Sequence, residues 1–334
     1  MSVNEVKLSR SNNGLMAVIA TPAKRLWLLS ALALTTIVIF MTIKLGSNLQ
    51  YILVHRGLTL ATMLLVAFAA STSTLLFQTV TNNRILTPSI MGFETLFVLI
   101  QTLIIFVFGA KGIPWVGVSG KFLCEALLLV MFSAVLYRWL FLGRRDNLHL
   151  VLLVGIICGT LFRSASSLMQ RLLTPTEFAV LQGRMFATFT RAVPELIALT
   201  ALIVVMVAIV IWRRRFELDV LALGRYSAVN LGINFNRSVT LILLLVSVLV
   251  AVSTALVGPL TFLGFMVANL AYLVAGSSQH RILLPTAFLL GVISLVGGQL
   301  ILEHLLNMAG ALSVVIEFIG GTLFILLLLK KVAV

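Results

Sequence analysis

The residues with the most unusual setting for chemistry are carboxylates inside or beside long apolar stretches. They are Glu94, Glu125, Glu195, Glu303 and Glu317. A charge in a bilayer is costly, so such a side chain serves a proton pathway or is held by a packing or interface contact. The positions of Glu125 and Glu195 near outer span ends predict interfacial contacts. Glu94, towards the inner surface, and Glu317, near mid-membrane, leave both interpretations open.

Other polar residues also lie within apolar stretches. Arg163 is in the fifth stretch, where it either faces a central pathway and attracts an anion or pairs with a carboxylate. The second stretch contains the hydroxyl residues Ser71, Thr72, Ser73 and Thr74. Small hydroxyl residues let helices pack closely and supply hydrogen bonds to a neighbour.

The sequence contains no recognisable catalytic or metal-binding set. The four histidines, His55, His149, His280 and His304, lie in loops or at span ends. Cys124 and Cys158 lie in apolar stretches without CxxC spacing, which favours small apolar filler over a metal or redox site. No GxxxxGK[ST] sequence is present, so energy for any transport must come from a gradient or from another chain.

Composition indicates a protein whose solvent is mostly lipid. Of 334 residues, 60% are hydrophobic and 10% are charged, whereas a soluble domain carries roughly 25% charged residues. The net charge of +14 does not indicate nucleic-acid binding, because Lys and Arg cluster in short runs between apolar stretches. That distribution is typical of the positive-inside pattern.

About ten stretches are long and apolar enough to span a membrane. They are 26–45, 57–79, 90–108, 121–142, 148–172, 195–212, 237–257, 259–275, 283–302 and 312–329. The third and eighth are short, and the segment between the fifth and sixth predicts a short interfacial helix. The Lys and Arg bias places both termini in the cytoplasm, with residues 1–25 as a tail rather than a cleavable signal and 26–334 as one all-α membrane domain.

Several motifs resemble those of one transporter family. NNRILTPSIMG, residues 82–92, resembles an NPLADPxxLG stretch: Asn83, Pro88 and Gly92 match, Gln78 falls where the family has Gln, and Arg84 replaces its first Pro. LGRYSAVNLGIN from Leu223 resembles LGxxxAxxLGxx, and VGPLTFLGFMVANLAYLVAG resembles AGPIGFVGLVVPHIARLLVG. These collinear motifs are similar to those of permeases of bacterial ABC importers for iron-siderophores, haem and vitamin B12, with the catecholate-type siderophore permeases nearest.

This resemblance implies a type II ABC importer permease of the bacterial inner membrane that moves a ferric-siderophore complex by alternating access. It implies two ATPase subunits that use ATP and Mg, a second permease, and a periplasmic or lipid-anchored substrate-binding protein. It implies no cofactor bound by this chain and no nucleic-acid partner. Spans two, three, five, eight and ten would line the route, and Ser71, Thr72, Ser73, Gln78, Pro88, Gly92 and Arg163 are its pathway or helix-break candidates.

The resemblance also assigns a coupling segment, about residues 216–236, that a soluble ATPase pushes. Gly224 and Gly232 permit sharp turns there, and Ala228 and Leu231 would offer a small apolar knob to a groove on the ATPase. Arg213–Arg215 and Arg225 would hold the segment at the lipid headgroups. An ordinary basic inner loop is the alternative interpretation.

Arg56 is the candidate for docking the substrate-binding protein. The family has an RxPR motif at this outer position, but here Leu58 and Thr59 replace the Pro and the second Arg. A snorkelling interface arginine is the alternative. The half-present motif favours a second permease that is related but not identical, although a homodimer stays open.

A self-contained proton- or sodium-coupled secondary transporter is the alternative function. The intramembrane carboxylates and the helix break at Thr87-Pro88 would then be its working sites. Uptake by the chain alone under an imposed gradient distinguishes the two functions.

Overall fold

A computed structural model of the protein describes residues 21–43, 49–109, 117–142, 148–189, 193–308 and 310–332. These residues form α-helices and one short 3₁₀ helix, Pro88–Met91, and contain no strand. The helices are α1 Pro22–Thr42, α2 Leu49–Thr81, α3 Phe93–Phe108, α4 Val118–Leu142, α5 Leu148–Gln170, α6 Pro175–Met185, α7 Pro194–Arg213, α8 Arg215–Leu221, α9 Arg225–Asn230, α10 Phe235–Val257, α11 Thr261–Val274, α12 His280–His304 and α13 Leu312–Val332. Of the predicted tail, residues 1–25, the first 20 lie outside the described residues. The rest of it includes the start of α1 at Pro22.

The predicted all-α membrane architecture of about ten spans is confirmed. Six helices among the described residues, α1, α2, α5, α7, α10 and α12, are long and apolar enough to cross a membrane. Helices α3, α11 and the start of α13 are shorter apolar helices, and α4 covers the remaining predicted span. The short third and eighth spans correspond to α3 and α11. The 14 residues of α11 rise only about 21 Å, less than the roughly 30 Å hydrocarbon core.

Helix α2 begins earlier than its apolar pattern indicates. The sequence GSNLQYILVHR predicts a polar break before the second span, but the helix starts at Leu49 and continues for 33 residues. No proline interrupts Leu49–Arg56, and Gly57 costs a helix interior only about 1 kcal/mol. The polar residues of this turn therefore extend α2 instead of ending it.

Helix α2 is the centre of the bundle. It packs against α10, α12, α11 and α7, and its side chains are almost continuously buried from Ser71 to Val80. Glycines let two neighbours approach closely: a Cβ on Gly264 of α11 would collide with Thr74, and one on Gly291 of α12 would lie 3.2 Å from the Ala67 carbonyl oxygen. Small residues at helix contacts are the usual means of close packing in lipid.

Helix α6 is the predicted short helix between the fifth and sixth spans. Its N-terminus has a capping box in which the Thr174 hydroxyl accepts from the Glu177 amide and Glu177 accepts from the Thr174 amide. These bonds, the backbone N–H of Thr174 first, lower the pKa of the exposed Glu177 carboxyl. The cap fixes the start of α6 where the chain turns between α5 and α7.

Candidate functional site

A polar cavity lies between α3, α5 and α11. Its volume is about 440 Å³. The lining is Glu94, Thr95, Val98, Arg163, Ser166, Ser167, Gln170, Met185, Pro259 and Thr261. One carboxylate, one guanidinium and several hydroxyls in a mostly apolar bundle are the composition of a site that holds a polar or charged ligand.

Glu94 is positioned by the break that begins α3. It lies in the first turn of that helix, where the N-terminal dipole favours an acidic side chain. Ser89 Oγ donates to its Oε1 at 2.8 Å, and Thr261 Oγ1 donates to its Oε2 at 2.6 Å. The carboxylate thus joins the 3₁₀ turn to the start of α11.

Arg163 contributes the positive charge of the cavity. Its side chain is exposed on α5, and within the described residues it makes no salt bridge shorter than 4 Å. Nearby, Thr102 and Ser166 hydroxyls lie 2.8 Å apart, and Gln170 Nε2 donates to Ser166 Oγ at 2.9 Å. Because Arg163 lines the same cavity as the Glu94 carboxylate, both interpretations of Arg163 stay predictions.

The hydroxyl run on α2 does not face one pathway. Ser73 and Thr74 line a small cavity of about 30 Å³ next to Glu94. The Ser71 hydroxyl instead donates to the Ala67 carbonyl at 2.6 Å, and Thr72 borders a separate groove against α7 and α12. The grouping of Ser71, Thr72 and Ser73 is corrected here, because successive residues on an α-helix point about 100° apart.

The helix break before α3 depends on an unusual close contact. Pro88 starts the 3₁₀ helix and Gly92, at φ +89°, ends it. A Cβ on Gly92 would lie 3.0 Å from the Gly159 Cα, and one on Gly155 would lie 3.0 Å from the Met91 Cα. Gly155 and Gly159 form a GxxxG pair on α5, a signal for close helix contact that our sequence analysis missed.

Gln78 has a local structural function instead of facing the cavity. The side chain is buried near the end of α2, and its Nε2 donates to the Arg84 carbonyl at 2.7 Å. The Arg84 guanidinium lies 4.3 Å from the centre of the Tyr272 ring on α11. Together these contacts fold the α2–α3 turn onto the end of α11.

The predicted coupling segment forms two short helices, α8 and α9. Gly224, at φ +92°, precedes α9 and lies beside Asn82 at the end of α2, and Gly232, at φ +82°, follows it. Leu231 is 63% exposed, whereas Ala228 is fully buried. Ala228 is therefore corrected from a partner-facing knob to a core residue, because its face of α9 turns towards the bundle. The exposed apolar residues, here called the coupling surface, are Leu223, Tyr226, Val229 and Leu231.

A buried histidine connects α8 to the spans. His280, at the start of α12, donates from its backbone N–H and from its ring Nδ1 to Asp219 Oδ1 of α8, both at 2.7 Å. The other ring nitrogen lies 2.8 Å from the Thr79 hydroxyl of α2. A carboxylate can only accept, so Nδ1 carries a proton. A displacement of α8 is thereby tied to α2 and α12.

Arg56 is engaged within its own chain. Its Nη1 donates to the carbonyls of Phe40 at 2.8 Å and Ile43 at 2.7 Å, at the end of α1. The guanidinium also lies 5.6 Å from the Phe40 ring. Because the last carbonyls of a helix lack intrahelical partners, Arg56 acts as a side-chain cap for α1.

Glu125 has partners within the chain that the sequence did not reveal, and its predicted interfacial depth stays a prediction. Its side chain is buried on α4, where Gln101 Nε2 donates to it at 2.6 Å and Lys121 Nζ lies at 3.5 Å. Arg184 of α6 donates to Gln101 at 3.3 Å. Only Lys121 of this network lies on α4, so the sequence of α4 could not reveal Gln101 of α3 and Arg184 of α6. Glu195 is exposed, and its hydroxyl partner is Ser119 of α4, whose Oγ lies 3.2 Å from Oε2.

Comparison with known proteins supplies the decisive observation. The model of the FecCD transport family matches residues 18–330. The chain belongs to the FecCD transport family. This FecCD chain is 44% identical to the petrobactin import system permease protein YclO of Bacillus subtilis (strain 168) over 304 residues, covering 91% of this chain and 96% of that protein.

Two further comparisons agree with the FecCD assignment. The petrobactin import system permease protein FatC of Bacillus anthracis is 40% identical, over 83% of this chain and 78% of its own length. A solved metal-chelate type ABC transporter in an inward-facing conformation superposes with a TM-score of 0.82 at 23% identity, covering 93% of this chain and all of that one. At that identity the structural likeness supports the fold.

Proposed function

We propose that this FecCD permease moves a ferric-siderophore complex across the bacterial inner membrane, powered by ATP hydrolysis on partner subunits. The observation that carries the proposal is the polar cavity between α3, α5 and α11, which is lined by the Arg163 guanidinium, the Glu94 carboxylate, Gln170 and several hydroxyls. Such a lining suits a cargo with negative charge and many oxygen atoms. The relatives at 44% and 40% identity described above are named as petrobactin import permeases, so petrobactin is the first cargo to test.

The energy for transport enters at the coupling surface. Its four exposed apolar side chains offer a patch suited to a groove on an ATPase subunit. The link Asp219–His280–Thr79 then passes movement of α8 to α12 and α2. ATP and Mg act on the partner ATPases, and alternating access follows when ATP binding favours one of two permease conformations.

The assembly contains more than this chain. It comprises two permeases, two ATPase subunits and a substrate-binding protein on the outer surface. The second permease is related but not identical, since Arg56 retains only half of the docking motif and already caps α1. The positive-inside distribution places both termini, residues 1–25 and the coupling segment in the cytoplasm.

Reconstitution tests the function directly. Proteoliposomes that contain the chain, its partner permease and the ATPase should accumulate ⁵⁵Fe-petrobactin when binding protein is outside and ATP inside. A hydrolysis-deficient ATPase is the matched control and should abolish uptake. Uptake by this chain alone under an imposed proton or sodium gradient would support the secondary-transporter alternative, with Glu94 of the cavity as its carboxylate.

A further inference from the structure

A second cavity, on the outside of the bundle, has a different character from the polar cavity. It is an apolar groove of about 530 Å³ between α2, α7 and α12. Phe68, Ile209 and Phe288 contribute its wall, and Thr72 borders it. Ile209 is half exposed, so the groove opens sideways from α7. In a membrane-spanning chain such an opening meets lipid.

Positive charge marks one end of this groove. Trp212 and Arg213, the last residues of α7, both line it. Arg213 is exposed, and it forms no salt bridge within the described part of the chain. From Val205, another lining residue, to Arg213 the helix rises about 12 Å. An apolar wall of that length below a cation matches a phospholipid, with acyl chain below and phosphate above.

A neighbouring groove shows that the charge is not a general property of such sites. The groove of about 280 Å³ between α11, α12 and α13 has an apolar lining that includes Ile293 and Gly297 and carries no Lys or Arg. Tryptophan and arginine at a span end are typical of the interface, where they meet headgroups. Only the α2–α7–α12 groove combines the apolar wall with a cation among the cavities described here.

We propose that the α2–α7–α12 groove binds one anionic diacyl phospholipid from the leaflet on the side of α8 and α9. Its acyl chain lies along Phe68, Ile209 and Phe288, and its phosphate accepts from Arg213. The lipid touches α7, which leads directly into α8, and α12, whose first residue bonds to Asp219 of α8. It therefore supports the position of the coupling segment from the membrane side.

Lipid binding is measured on the purified permease, so its failure is separable from failure of the transport proposal. Native mass spectrometry with added phosphatidylglycerol or phosphatidylcholine should show one site that binds phosphatidylglycerol about fivefold more tightly than phosphatidylcholine. That is the difference in affinity expected from one basic residue near an anionic headgroup. Arg213→Gln should remove that preference. Arg214→Gln is the matched control, because Arg214 already pairs with Glu217 at 3.0 Å.

Filling the grooves tests the acyl-chain position. Ile209→Trp should abolish retention of the tightly bound phosphatidylglycerol. Ile293→Trp, in the uncharged groove between α11, α12 and α13, should leave that retention unchanged. Unchanged phosphatidylglycerol preference in Arg213→Gln, or unchanged retention in Ile209→Trp, overturns the proposal.

Photolabelling of the unmodified protein gives a result that does not depend on variant folding. A diazirine-bearing phosphatidylglycerol in vesicles should label peptides containing Ile209 and Phe288. Labelling elsewhere only, including the case in which a protein partner covers this groove, also overturns the proposal.

Discussion

Arg56 illustrates how one side chain combines a structural function with a proposed docking function. Its two bonds to the carbonyls of Phe40 and Ile43 close the end of α1. The half-matched motif identifies Arg56 in the sequence, but it gives no sign of the cap. The acceptors are backbone atoms of another helix, and no side-chain pattern records them.

Arg56→Ala should lower the free energy of unfolding by about 1–3 kcal/mol, because two carbonyls lose a charged donor. Thermal unfolding in detergent measures this, with exposed Arg171→Ala as the control. Arg56→Lys should recover part of the loss, since an ammonium donates without the planar geometry.

Arg56→Glu should additionally weaken docking of the substrate-binding protein, and unchanged docking at physiological salt removes Arg56 from that function.

His280 is the residue through which the coupling segment reaches the spans. His280→Ala deletes both ring hydrogen bonds and leaves the Asp219 carboxylate without its ring donor. We expect ATP hydrolysis by the assembled complex to persist while uptake falls, because α8 then moves without α2 and α12. The ratio of transport to hydrolysis is the measurement, and His55→Ala, at an exposed position, should leave it unchanged. A normal ratio in His280→Ala would show that motion passes by another route.

At the scale of elements, the apolar stretches of the sequence predict where the helices lie but not how closely neighbouring helices approach one another. Each predicted span coincides with a helix because about 20 apolar residues in lipid must satisfy their backbone internally. The earlier start of α2 follows from the lack of a helix-breaking residue in Leu49–Arg56, whereas the burial of Ala228 depends on tertiary packing. The contact of Gly92 with α5 was readable in principle from the GxxxG spacing of Gly155 and Gly159.

Gly159→Leu should separate the start of α3 from α5 and destabilise the chain by about 1–3 kcal/mol through overpacking. The new Cβ would already lie 3.1 Å from the Gly92 Cα. Gly297→Leu is the matched control, because nothing lies within 4 Å of a Cβ at that helical position. Equal thermal stability of the two variants would refute the close-contact explanation of the break.

The coupling surface is an element whose exposed face can be tested separately from its fold. Leu231→Ala and Tyr226→Ala should each weaken ATPase binding roughly five- to a hundredfold, the range for truncation of an apolar interface residue. Thermal stability should stay the same, since both side chains are exposed. Leu305→Ala, an exposed site after the opposite end of α12, is the control. Undiminished affinity in both test variants would place the ATPase elsewhere.

For the whole molecule, composition alone established a lipid-embedded chain, and motif order indicated its family. The polar cavity could not be derived that way, because Glu94, Arg163 and Thr261 come from three helices that meet only after folding. The same holds for the lipid groove, whose lining comes from α2, α7 and α12. Sequence gives the spans and their charges, whereas the arrangement of α2 at the centre determines which polar residues meet.

The most direct test of the central claim is affinity purification of the tagged chain from its native membranes, with identification of every co-purifying subunit. The importer proposal predicts an ATPase in stoichiometric amount, together with a second, different permease. Tyr226→Ala and Leu231→Ala combined should lose the ATPase while retaining that permease. Recovery of an intact, folded chain without any ATPase would contradict the proposal and favour gradient-driven transport through the Glu94 cavity.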